Sequence, residues 1–150
     1  MPTAHTVRSY RSQLSSADEL ETCGRAAFAV QHLSEMRLLI TATGELDATN
    51  ARALGRFVER HTGVSKQLVL DLSNVEFFGS EGFAALHYVS VHCARHDVEW
   101  LFIGDRIVRR IVAICDPDAE LPLADSLAAA LARLDHLGRC GHPRPVRGDG

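Results

Sequence analysis

The chain has 150 residues and a formal net charge of -3, with 23% charged and 46% hydrophobic residues. That length and balance suit one ordinary globular domain with a real core. There is no long basic run to hold nucleic acid and no apolar stretch near the ~20 residues that cross a bilayer, so neither partner is expected.

The N-terminus, MPTAHTVRSYRSQ, lacks an apolar signal core, which argues against export. Cys23, Cys93, Cys115 and Cys140 lie far apart and form no CxxC pair. They read as free thiols in a reducing cytoplasm. Residues 1–24 are rich in Ser, Thr and Arg and read as a polar lead-in. Residues 138–150 carry Gly and Pro too densely for a packed element and read as a flexible tail. The domain proper is 25–137.

It opens on two extended runs, Ala26–Leu33 and Met36–Thr43, with Ser34-Glu35 between them, which is a hairpin signal. Met36, Leu38, Ile40 and Ala42 share one face at period two. Gly44-Glu45-Leu46-Asp47 reads as a turn, with Asp47 as the N-cap of the next helix. Ala51, Leu54, Phe57, Val58 and His61 line that helix, and Thr62-Gly63 stops it. Leu68 to Leu72 is a nearly continuous apolar run, as in a strand covered on both faces. A polar turn and the step Gly79-Ser80-Glu81-Gly82 lead into a helix over 80–96, with Phe83, Leu86, Val89 and Cys93 inward. The run Val98–Ile103 is the next strand. Gly104-Asp105 turns into a helix carrying Ile107, Val108, Ile111, Val112 and Cys115, which Asp116-Pro117 ends. Leu121-Pro122-Leu123 suits a short edge strand. A last helix over 125–137 buries Leu127, Leu131 and Leu134. The order β-β-α-β-α-β-α-β-α predicts an α/β domain with a mixed, mostly parallel sheet that starts with a hairpin and carries about four helices.

Ser80 sits where a strand gives way to a helix. A hydroxyl there can cap the helix, accept a phosphate or act as a nucleophile. A nucleophile elbow needs G-x-S-x-G, but Phe78 stands two places before Ser80 and no histidine is placed as a base. The cap reading has serine's preference behind it, with Glu81 suiting the positive end of the helix dipole. A phosphate would gain support from the same helix N-terminus. His92 and His96 share a helix face, but two ligands do not complete a metal site, so a solvated pair and no metal are expected. No GK pair or GxGxxG occurs, so Gly104 reads as a turn residue and no cofactor is expected. Cys93 and Cys115 lie on apolar helix faces, where buried inert thiols are the default.

The segment LVLDLSNVEFFGSEGFAAL, residues 68–86, resembles the signature of STAS domains, the family of bacterial anti-sigma factor antagonists. In that family an apolar strand ending in Asp-Leu-Ser leads to Asp-Ser-Ser-Gly and a helix. Asp71-Leu72-Ser73 matches the strand end; Val75, Phe77 and Phe78 match the apolar loop; Ser80, Gly82 and Phe83 match the helix start. Gly44-Glu45-Leu46-Asp47 resembles a second family element. The likeness covers about 26–137. It departs at Gly79, where the family has aspartate, and at Glu81, where it has a second serine.

The resemblance implies a non-enzymatic regulator that binds an anti-sigma factor which is also a serine kinase, and so frees a sigma factor for transcription. It implies Ser80 as phosphoacceptor, with phosphorylation breaking the complex. The expected contact surface gathers Asp47, Ser73, Asn74, Phe78, Gly79, Ser80, Glu81 and Gly82 at one end of the sheet, along with the 104–105 turn. One of Phe77 and Phe78 faces the core, and the sequence does not say which. Alternatives are a STAS module without a phosphoswitch, constitutive or thiol-regulated, and a small-ligand or nucleotide sensor. A homodimer stays open.

Overall fold

A computed structural model describes residues 17–141. The parts of the expected lead-in and tail before 17 and after 141 lie outside the described residues. Six strands form one sheet in chain order: β1 Glu19–Cys23, β2 Ala26–Ser34, β3 Arg37–Leu46, β4 Gln67–Phe78, β5 Glu99–Gly104 and β6 Leu123–Ala124. The helices are α1 Ala51–His61, α2 Ser80–Arg95, α3 Arg106–Cys115 and α4 Leu127–Gly141. β1, β2 and β3 pair antiparallel, and β3 to β6 pair parallel. The expected mixed sheet and four helices are present.

Boundaries at both ends of the domain differ from expectation. Glu19–Cys23, read as lead-in, is an edge strand on β2. Its Glu21 carboxylate pairs with Arg60 and its Glu19 carboxylate lies 3.5 Å from His61 Nε2, which ties the strand to the end of α1. The last helix begins at Leu127 and runs to Gly141, past the expected end at 137.

The apolar run in β4 is covered on both faces. Leu68, Leu70 and Leu72 join Leu38, Ile40, Phe57, Leu86, Val89 and Val108 in the larger core, beneath α1, α2 and α3. Val69 faces the other way and packs with Leu101, Ile103, Ala130 and Leu134 beneath α4. Each fully buried Leu or Phe contributes roughly 1.5–3 kcal/mol by leaving water. Arg37 and Gln67 fasten α4 to the sheet: Gln67 donates to the Leu134 carbonyl at 2.8 Å, and Arg37 reaches Asp135 at 2.8 Å.

β4 is twelve residues long, so the expected polar turn after Leu72 is strand. The sequence expectation fails here because β4 carries two bulges against β3. Thr41 pairs with Asp71 but Thr43 with Asn74, and Gly44 pairs with Val75 but Glu45 with Phe77. Each bulge adds one residue to β4 and reverses which face the next side chain meets. The core therefore takes Leu72, then Val75, then Phe78. Gly44, expected in a turn, lies inside β3 at φ +90°, and a Cβ there would collide with the Arg25 carbonyl.

Candidate functional site: the sheet end at Ser80

Because β3 and β4 run parallel, their C-terminal ends and the helices that follow lie together. Leu46 pairs with Phe78, and the Gly79 amide donates to the Leu46 carbonyl at 3.3 Å. Asp47 and Ser80 therefore start neighbouring connections from one point of the sheet.

Asp47 is not the cap of α1. Its carboxylate accepts from the Thr49 amide at 2.9 Å and the Thr49 hydroxyl at 2.6 Å. These bonds hold the Asp47 carboxyl below its ordinary pKa. Asn50 is the N-cap and is fully buried. Its Oδ1 accepts from the Asp47 amide at 3.0 Å, and its Nδ2 donates to the carbonyls of Glu45 at 2.8 Å and Cys23 at 3.2 Å. One side chain thus ties the end of β3, the end of β1 and the start of α1. Sequence reasoning missed it because Asp47, Thr49 and Asn50 all have capping chemistry.

Ser80 is not a cap either. Gly79 is the N-cap of α2, with no side-chain capping bond, and Ser80 is the first helical residue with its side chain exposed. Among the described residues no histidine hydrogen-bonds Ser80. The Gly79 carbonyl accepts from the Gly82 amide at 2.9 Å, while the earlier amides of the turn face outward, as at any helix start. Glu81 is exposed and folds back: its Oε1 lies 2.8 Å from where a Cβ on residue 79 would stand. The ring of Phe77 lines the same space at 3.5 Å.

The two phenylalanines are now separated. Phe78 is 3% exposed and belongs to the core, so its place in the expected contact set is corrected: it supports the site from below. Phe77 is 50% exposed beside Gly79 and is the apolar side chain on the surface. Gly82 is buried, and a Cβ on it would stand 2.5 Å from the Phe78 ring. That contact explains why the helix starts with glycine at this position. Ser73 and Asn74 sit within β4, about level with the end of β5, since Leu72 pairs with Gly104. Asn74 and Ser73 stand six and seven residues before Ser80 in the chain, and Gly104 pairs with Leu72, eight residues before it.

The other candidates resolve simply. The His92 and His96 rings lie 4.4 Å apart, with His92 Nε2 at 2.8 Å from the Thr62 hydroxyl. Among the described residues no group of three or more His, Cys, Asp or Glu could hold a metal ion. Cys93 is buried and desolvation pushes its thiol up to about 12. Cys115, expected inward, is exposed, and Cys23 is half-buried. No helix among the described residues is long and apolar enough to cross a membrane.

The STAS family model matches residues 27–130. The chain belongs to the STAS family. It is 27% identical over 104 residues to Osmosensory protein A of Mycobacterium tuberculosis, a match covering 67% of this chain and 66% of that protein, just under two thirds of its length. It is 29% identical over 107 residues to the anti-sigma-F factor antagonist RsfA of the same species, covering 69% of this chain and 83% of RsfA. Among solved structures, an anti-sigma factor antagonist from Mycobacterium paratuberculosis superposes with a TM-score of 0.62 at 24% identity, covering 72% of this STAS chain and 92% of that one. The superposition shows a shared fold.

Proposed function

We propose that this STAS domain is an anti-sigma factor antagonist that binds a kinase-type anti-sigma factor and is released when that partner phosphorylates Ser80. The observation that carries the reading is the position of Ser80. Its hydroxyl is exposed on the first residue of α2, fixed by the Gly79–Leu46 hydrogen bond and by the buried Phe78 below. A kinase can reach it, and a phosphate there meets the positive end of the helix. The names of the relatives support the antagonist class.

Gly79 and Glu81 fit this reading. Position 79 has no carboxylate of its own, and the Glu81 carboxylate reaches the space a side chain at 79 would enter. The Glu81 carboxylate thus stands next to the residue that precedes Ser80. A phosphate at the interface brings about -2 charge, and a penalty of ~3 kcal/mol weakens binding roughly a hundredfold.

Intact-mass measurement after incubation with ATP and the purified anti-sigma factor of the source organism tests the proposal. A single phosphate is expected on the wild type and none on Ser80→Ala. An unshifted wild-type mass, with partner binding intact in Ser80→Glu, rejects the switch.

A further inference from the structure

Beside Ser80, between α1 and α2, runs an open groove of about 660 Å³. Its floor is made of small residues: Ala48, Ala51 and Gly55 from the α1 side and Ala84 and Ala85 from α2. Gly55 is small for a visible reason, since a Cβ there would stand 2.8 Å from the Tyr88 ring. Tyr88 forms one end of the groove and is held by its hydroxyl, which donates to Glu59 at 2.5 Å. Glu81 forms the other end, next to Ser80.

The walls carry the charge. Arg52 and Arg56 are one turn apart on α1, both exposed and both lining the groove. Among the described residues neither is in an ion pair. Their helix neighbours are already engaged: Glu59 accepts from Tyr88 and Arg60 pairs with Glu21. The α1 wall of the groove is thus basic on a chain whose net charge is -3, with Glu81 the acidic residue at the Ser80 end. Unpaired guanidinium groups beside an apolar floor fit carboxylates carried on an otherwise apolar face. A floor of alanines and a glycine lets another helix approach closely, which is how a helix lies in a groove.

We infer that the α1–α2 groove holds an acidic amphipathic helix of the anti-sigma factor, with Arg52 and Arg56 binding its carboxylates. The inference rests on the antagonist reading and extends it from the Ser80 end into the groove. The two surfaces are continuous through Glu81 and through Ala48, which follows Asp47. A specific interface buries about 800 Å² per partner, more than one helix start supplies. The groove adds the missing footprint and, through Glu81, brings the partner helix to the Ser80 end of α2. Phosphate on Ser80 then repels the same acidic helix that the arginines attract.

The test is calorimetric titration of the purified anti-sigma factor of the source organism with the wild type, Arg52→Glu/Arg56→Glu and Arg52→Gln/Arg56→Gln. Circular dichroism melts establish that the variants are folded. The Glu pair is expected to weaken binding on the order of thirtyfold, the Gln pair less, and both to flatten the salt dependence seen with wild type. Hydrogen-exchange protection on the partner is expected to fall on a helix rich in Asp and Glu. Wild-type binding that both variants match within about threefold, or protection of a partner segment without carboxylates, overturns the groove and leaves the antagonist reading standing. No wild-type binding to any such factor overturns both.

Discussion

Glu81 and Gly79 occupy one another's space: Oε1 of Glu81 lies 2.8 Å from the point where a Cβ on residue 79 would stand. A side chain at 79 and the present course of Glu81 therefore exclude one another. Either residue taken alone looks like a loss of the family pattern. Together they place the Glu81 carboxylate against residue 79, where the family pattern has its aspartate.

This pairing predicts non-additive behaviour. Gly79→Asp alone sets two carboxylates against each other, and Glu81→Ser alone removes the one that stands against residue 79. Both are expected to slow phosphate transfer to Ser80 by about tenfold. The double variant Gly79→Asp/Glu81→Ser is expected to recover most of the wild-type rate, read by phosphate incorporation over time. Additive losses in the double variant would show that the two positions act separately. Neither single change should move stability by more than about 0.5 kcal/mol, because the Glu81 carboxylate is the free end of a flexible side chain.

Gly82 has the opposite character. Its would-be Cβ meets three atoms of the Phe78 ring at 2.5–2.9 Å, and that ring is in the core. Gly82→Ala must displace it, at a cost of about 1–3 kcal/mol. A lower urea midpoint with an unchanged slope is the expected outcome. An unchanged midpoint would mean that Phe78 is not the support beneath the start of α2.

His92 gives the fold a pH dependence. Burial, and then the neighbouring His96 ring, hold its imidazole below the ordinary value of 6.5. As pH falls, the unfolded chain takes up that proton first. The contribution of neutral His92 is fully present above the unfolded pKa and is lost as pH falls below it toward the folded one. Urea midpoints measured from neutral to mildly acidic pH should decline, and less so in His92→Gln. An equal decline in the variant would assign the pH dependence to other groups.

The cysteines differ in reactivity. Cys93 is buried with its thiol pushed up to about 12, whereas Cys115 is exposed at the end of α3. Iodoacetamide on the native protein is expected to label the Cys115 peptide and spare that of Cys93, with both labelled in urea. Native labelling of Cys93 would reveal opening of the α2 core face.

Much of this was legible from residues. The run Leu68–Leu72 pointed to a strand with two covered faces, and Leu68 and Val69 do face opposite cores. Parallel β3 and β4 bring Asp47 to Ser80, as the β-α-β order required. β1 was missed because its outer side chains meet solvent: Leu20 is exposed, so the strand carries no apolar signal. The choice between Phe77 and Phe78 could not be made by counting alternation from Leu72. The two bulges on β4 each shift the parity, and they are set by pairing with β3, which lies far away in sequence. The capping assignments to Asp47 and Ser80 failed for a related reason. Both lie within three residues of the true caps, Asn50 and Gly79, and only the path of the backbone decides which residue starts the helix.

The central claim is that one hydroxyl, Ser80, switches a binding surface. The most direct measurement compares the affinity of the purified anti-sigma factor for the unmodified protein and for the same protein carrying one phosphate on Ser80, by calorimetry without ATP. The account predicts tight binding of the unmodified form and a loss on the order of a hundredfold on phosphorylation. Equal affinity for the two forms would contradict it.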